Sequence, residues 1–348
     1  MFSKVINLST GPVALIPEVR QTFAQQPLSH RSAAFRQIFT ETTELLSGHF
    51  GVRESFIFSG SGTAANEAMI CQIKMLGGNG IVLCNGEFGN RLIEQASAHH
   101  LQFKRYIIPW GEQFDLLEIE RMIQQNEARW LLFCHCETSS GVLNNLNELC
   151  VLATRANCKC FVDCISSVGA VDIDLSSVAM ATASSGKGLC SVAGLALVFS
   201  NIDVASDGRM PIYFDLKHHL SKNKIPFTLS SNMVAALLAG CKSRLCSTNY
   251  ALLRRHSKKL NLLLQKVDVL RFENFHVFTI VPHFGSASLV GSKLEQKNIV
   301  TSYSSEYLKK RNWLQLALFS HVSEEEMQYA LQVLERILIH QLAPKAAQ

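Results

Sequence analysis

Three short stretches carry the residue types that do chemistry. In SSGKGL, Lys187 stands among small residues; in KCFVDC, Asp163 closes an apolar run 24 residues before it. In IFSGSGTAANEA, residues 57–68, a glycine turn separates an apolar run from a helix-forming one. Such a turn presents the backbone N–H groups of Ser61, Gly62 and Thr63 at the positive end of a helix dipole, which suits a dianionic phosphate. A lysine amine is a nucleophile and base once its proton is lost, and a buried carboxylate requires a cationic or donor partner. Each stretch also has an ordinary reading. A lone lysine is usually surface decoration, and Gly60, Gly62 and Ala65 also spell the GxGxx[GA] form of a dinucleotide fingerprint.

The alternatives fail on their surroundings. A dinucleotide site calls for an acid at the tip of the next strand, about 20 residues on. The next strand-like run, GIVLC, ends instead in Asn85-Gly86, with Glu87 in a glycine-flanked turn. A Walker loop requires a glycine where Ala181 stands, and Ser184 with Lys187 reads SxxK without the accompanying SDN and KTG elements. What remains is one phosphate on a smaller cofactor. Pyridoxal 5′-phosphate needs a lysine for a Schiff base, a carboxylate for its ring nitrogen and a phosphate cradle. Lys187, Asp163 and the Ser61-Gly62-Thr63 turn supply all three.

The elements that must position them follow from the apolar pattern. Between Gly51 and about Ser200, the runs SFIF, GIVLC, KRYII, WLLFC, KCFVDC and LALVF alternate with helix-like segments. That alternation predicts an α/β layer with a mostly parallel sheet and site residues gathered at the carboxyl ends of its strands. Residues 232–266 read as helical and lead into a smaller α/β region built from HVFTIVP, WLQLALF and a final helix, which Ser323 and Glu326 open as a capping box.

With 348 residues the chain can hold one large and one small domain. Its formal charge of +5 is spread thinly, with no basic block interleaved with aromatics, so small anions are expected as ligands and nucleic acid is not. The 11 cysteines sit mostly in apolar runs, and CHC and CKC lack the spacing of a zinc knuckle, so reduced core cysteines in a cytoplasmic protein, and no metal, are expected. MFSKVINLSTGP has no continuous apolar signal region, and no run approaches the roughly 20 apolar residues that span a bilayer. The expectation is a soluble, unprocessed protein with no membrane association.

In family order, the motifs STGPVALIPEVR, SHRSAAF, SGSGTAANEA, NGEFGNR, HCETSSGVLN, VDCISSVGA, SSGKGL and PFTLSSN resemble the class V aminotransferases of pyridoxal-phosphate fold type I. The nearest likeness is to the alanine or serine:glyoxylate and 2-aminoethylphosphonate:pyruvate transaminases. The resemblance implies a large cofactor-binding domain, residues 1–245, with a mostly parallel seven-stranded sheet, and a small α/β domain, residues 246–348. Segment 1–30 would pack toward the small domain or a partner subunit. It further implies that Lys187 forms the Schiff base and returns as the base, that Asp163 pairs with the ring nitrogen, that Phe88 stacks on the ring and that Thr138 approaches its phenolic oxygen. Thr228 would reach the phosphate of a neighbouring subunit, which makes a homodimer the expected assembly.

Two departures from the family pattern stand out. Gly186 occupies the position before the lysine, where Gln or Asn often reaches the phosphate. Gln315, in WLQLALF, falls where relatives carry an arginine that clamps the substrate carboxylate, and Arg311 lies about 13 Å of extended chain away. Losing such a charge-assisted pair costs on the order of 1.5 to 3 kcal/mol. Substrate binding is therefore expected from Gln315, from backbone amides near Gly11 or from another basic residue such as Arg31. The reading is transamination between a small amino acid or amine and a 2-oxo acid such as pyruvate or glyoxylate. Decarboxylation, elimination or sulfur transfer on the same cofactor, or a fold kept for binding, are the alternatives. Sulfur transfer would want an exposed, mobile cysteine, and Cys190 is expected in the core.

Overall fold

Five of the apolar runs between Gly51 and Ser200 form strands buried on one or both faces; KRYII forms the edge of the same sheet. The computed structural model describes residues 4–266, 269–273, 276–282 and 285–342. Its central sheet has seven strands in the order Glu54–Ser59, Leu195–Ser200, Met180–Ser184, Lys159–Asp163, Trp130–Cys134, Gly80–Cys84 and Phe103–Ile107. All are mutually parallel except Leu195–Ser200, which runs against both of its neighbours. Gly80–Cys84 and Trp130–Cys134 are buried throughout, as strands covered on both faces must be. The edge strand Phe103–Ile107 instead exposes Lys104 and Arg105, charges that discourage pairing with another chain.

Met180–Ser184 is a central strand that the apolar pattern does not announce, because its sequence MATAS consists mainly of small residues. Small side chains let the helix Gly62–Leu76 lie close over it and over Leu195–Ser200. One apolar cluster on this face gathers Met69, Ile73, Val82 and Trp130. A second, on the opposite face, gathers Phe35, Phe50, Phe133 and Leu237.

A separate antiparallel sheet orders Val269–Glu273, Val277–Pro282 and Leu314–Ala317. Its apolar cluster joins Leu260, Phe278, Val290, Leu316 and Leu334, drawn in part from the helices Ser247–Leu264, Ala287–Glu295 and Glu324–Leu342. The expected capping box opens the last of these: Ser323 N donates to Glu326 Oε2 at 2.8 Å, and Glu326 N donates to Ser323 Oγ at 3.2 Å. The start of the chain joins this region, with Ile6–Asn7 pairing in parallel with Ile299–Val300 and Ala317 N donating to Leu8 O. From there, residues 9–12 run onto the carboxyl ends of the large sheet. No helix among the described residues is long and apolar enough to cross a membrane.

Candidate active site

A cavity of about 390 Å³ opens at the carboxyl ends of the parallel strands, and five of the six deliver residues to its wall, the edge strand Phe103–Ile107 being the exception. Glu54–Ser59 leads to Ser61, Gly62 and Thr63. Gly80–Cys84 leads to Phe88, Trp130–Cys134 to Thr138, and Lys159–Asp163 ends on Asp163 itself. Met180–Ser184 leads to Lys187, and the N-terminal segment adds Gly11. The sheet thus brings together seven residues singled out for the cofactor, Ser61, Gly62, Thr63, Phe88, Thr138, Asp163 and Lys187, with Gly11 from the substrate set.

Lys187 is partly buried, and its Nζ donates to Thr10 O at 2.7 Å and lies 5.3 Å from the Phe319 ring centroid. Burial brings its pKa down to about 8, with Cys136 and Asp163 pulling the other way. A neutral amine is therefore within reach near physiological pH, as a nucleophile or general base requires. The neighbouring Gly186 has a steric cause: a Cβ there would meet Ala193 Cβ at 2.7 Å and Ala193 Cα at 2.9 Å. A glutamine or asparagine cannot stand before this lysine without moving backbone.

Asp163 is buried, and burial pushes its carboxyl above the usual range. Opposing this, Asn66 Nδ2 donates to its Oδ2 at 2.8 Å and Ile165 N to its Oδ1 at 2.9 Å. Thr182 Oγ1 in turn donates to Asn66 Oδ1 at 2.6 Å, which fixes the amide's orientation. The unmet need is a cation facing the carboxylate, and a protonated ring nitrogen fits it.

The turn at Ser61 behaves as a free anion cradle. Ser32, Asp115, Asn145, Asp215, Ser230 and Ser286 cap their helices through the side chain, whereas Ser61 caps Gly62–Leu76 without any side-chain bond. The first helical N–H groups and the Ser61 hydroxyl are thus available at the cavity wall. A Cβ at Gly62 would lie 2.4 Å from Ile165 Cδ1, so the close approach of turn and loop needs glycine. These residues fit pyridoxal phosphate: an uncommitted anion cradle, a buried carboxylate lacking a cation and an amine of lowered pKa share one cavity.

NGEFGNR folds as the start of a helix, Glu87–Ala98, and not as a turn, because Glu137 caps it from across the sheet. The fully buried Glu137 carboxylate accepts from Phe88 N at 3.3 Å, Gly89 N at 2.9 Å, and Ser139 N and Oγ at 3.1 and 2.5 Å. Phe88 is thereby held at the wall, with Arg91 one turn further along and also lining the cavity. Thr138 Oγ1 donates to Ser166 Oγ at 2.5 Å.

Three expected residues are not brought to the cavity. Gln315 is completely buried behind it, and its Nε2 donates to Thr138 O at 2.6 Å, Ser139 O at 3.1 Å and Thr279 Oγ1 at 2.8 Å. Its donors are spent on protein, so it braces the Thr138 loop and does not face substrate. Arg31 is exposed near the start of the helix Ala33–Phe50, and it is not part of the wall. Thr228 is exposed beside Phe227 and Leu229, outside the cavity of its own chain. Asn66, Glu137 and Arg91 were missed in the sequence. A polar Asn inside the apolar stripe Ala65-Ala68-Met69 and an acid ringed by turn formers in HCETSSG are the signals that point to the first two.

The family described as aminotransferase class-V matches residues 18–211, more than half of the chain. A protein described as the small subunit of a soluble hydrogenase from Synechococcus is 25% identical, over 97% of this chain and 94% of that one. A 2-aminoethylphosphonate–pyruvate transaminase of Bacillus mycoides is 29% identical over 42% of this chain and 41% of that one. The solved aspartate aminotransferase of subgroup IV from Thermus thermophilus has 24% identity and a TM-score of 0.87, over 97% of this chain and all of that one, which establishes the shared fold.

Proposed function

Because the chain belongs to the class-V aminotransferases, a pyridoxal-phosphate family, we propose that it moves an amino group from a small amino acid or amine to a 2-oxo acid such as pyruvate or glyoxylate. The observation that carries this reading is the convergence of Lys187, Asp163 and the Ser61–Thr63 turn on one cavity. When bound, pyridoxal phosphate supplies a carbon that captures amines and a ring that takes up electrons released at the substrate α-carbon.

The chain's own groups do the rest. Ser61, Gly62 and Thr63 would hold the dianionic phosphate through N–H groups and a hydroxyl. Asp163, oriented by Asn66, keeps the ring nitrogen protonated by offering a fixed carboxylate, a partner in place before charge develops. Phe88 and Thr138, both at the cavity wall, would be the residues to contact the ring and its phenolic oxygen. Lys187 Nζ, steered by Thr10 O, carries the proton between the substrate α-carbon and the cofactor. Gly11, beside the Lys187 chain, leaves room for substrate and offers backbone to it.

The assembly in this reading is a cytoplasmic homodimer in which Thr228 reaches the phosphate in the partner's site; its exposure outside its own cavity supports that arrangement. The division between a large domain of residues 1–245 and a small one of 246–348 belongs to the same reading, and Leu245–Cys246 separates the helices Ser231–Arg244 and Ser247–Leu264. Sulfur transfer is disfavoured by Cys190, which is buried and donates from Sγ to Phe319 O at 2.9 Å. The test is a pair of half-reactions on the cofactor-loaded protein: an amino acid from a panel bleaches the near-visible band, and pyruvate or glyoxylate restores it. Bleaching with release of carbon dioxide or ammonia, and no restoration by any 2-oxo acid, would sink transamination.

A further inference from the structure

Three charged side chains line the cavity: Asp163, Lys187 and Arg91. The first two are engaged, Asp163 by Asn66 and Ile165 and Lys187 by Thr10. Arg91 is different. It is half-buried, and among the described residues its guanidinium makes no ion pair and no side-chain hydrogen bond. Its one described side-chain contact is the face of Phe88, with Cζ 5.0 Å from the ring centroid. A guanidinium held over a ring in a cavity, with its five donors unspent, is built to receive an anion.

Two anions enter this site, the cofactor's phosphate and a substrate carboxylate. The phosphate already has the Ser61–Thr63 cradle. Arg91 lies on another element, one helical turn beyond the Phe88 that covers the ring, and its charge is felt by Asp163, Lys187 and Tyr307. Tyr307, on the helix Glu306–Arg311, has its hydroxyl 3.5 Å from Gln315 Oε1. Arg91 thus lines the same cavity as the Lys187 amine, from a helix other than the one that the Ser61–Thr63 cradle opens, and its charge reaches that amine. The position expected to clamp a carboxylate, Gln315, is saturated by carbonyls.

We propose that Arg91 is the specificity-determining residue of this site, the cation that receives the carboxylate of both the amino acid and the 2-oxo acid; this inference rests on the transaminase reading. Helix packing fixes its backbone, so recognition needs only rotation of the side chain off Phe88. Substrates with an α-carboxylate are thereby favoured over simple amines.

The test compares Arg91→Gln and Arg91→Lys with the unaltered protein in three measurements. Absorbance titration with pyridoxal phosphate and with pyridoxal reads the phosphate's share of cofactor binding. Calorimetric titration of the loaded protein with pyruvate reads carboxylate binding without turnover. KM for L-alanine and for ethylamine reads discrimination. Expected are a loss of pyruvate affinity of about ten- to hundredfold in Arg91→Gln, a similar rise in KM for alanine relative to ethylamine, and partial recovery in Arg91→Lys. Cofactor affinity should change less than about threefold. If pyridoxal phosphate affinity falls tenfold while pyridoxal affinity holds, Arg91 is a phosphate ligand and the proposal fails. Equal losses for alanine and ethylamine, or unchanged pyruvate binding, also overturn it. Should the unaltered protein transfer no amino group while Arg91→Gln still loses pyruvate, the transaminase reading falls and the two-substrate role falls with it, leaving Arg91 only as a carboxylate-binding residue of the cavity.

Discussion

At the scale of single residues, the partly buried Lys187 and the buried Asp163 have opposite needs. Lys187 sits near a pKa of 8 against an ordinary 10.5 because burial disfavours its charge. The unfolded chain therefore binds more protons between those values, and stability rises with pH across that window. The cofactor-free Lys187→Met protein should accordingly melt above the unaltered one at pH 7, with the gap narrowing as pH climbs from about 8 toward 10.5. A gap that is constant with pH would contradict the burial argument. Asp163→Ala should still bind the cofactor yet lose about a hundredfold or more in turnover, because a fixed charge is gone from where charge develops. Asn66→Ala should bind the cofactor more weakly as pH falls, since Asp163 loses a donor and its pKa rises further; spectral titration at several pH values reads this. Lys187 and Asp163 could be singled out in the sequence only together with the glycine turn, since a lone lysine is usually surface decoration; the structure places all three on one cavity. Arg91 and Asn66 were not, because their roles depend on which elements the topology brings alongside them.

Elements carry the precision of the site. The seven-stranded sheet was legible from apolar runs of strand length, except for Met180–Ser184, whose small residues satisfy a packing demand that strand propensity does not register. Glu137 is the device that starts the helix Glu87–Ala98, and Gln315 braces residues 138–139 from the small sheet; neither partner is near in sequence. Glu137→Ala strips acceptors from the buried N–H groups of Gly89 and Ser139 and the part-buried one of Phe88. A loss of about 1 to 3 kcal/mol per abandoned group is the scale expected. Denaturant unfolding should show this destabilisation, and cofactor affinity should fall with it as Phe88 loses its anchor. Unchanged stability would mean that the helix start is held some other way.

For the molecule as a whole, the homodimer reading makes a complementation prediction. If Thr228 serves the partner's site, mixing Lys187→Ala with Thr228→Ala chains should create hybrid dimers in which one site has both groups intact. With random pairing, about a quarter of all sites should regain high-affinity cofactor binding. Sites complete within one chain would show no recovery. The most direct test of the central claim is borohydride treatment of the pyridoxal-phosphate-loaded protein, followed by peptide mass mapping. Loss of the near-visible band and a reduced cofactor adduct on the peptide containing Lys187 are expected. An adduct on another lysine, or none, would contradict the assignment of this cavity as the catalytic centre.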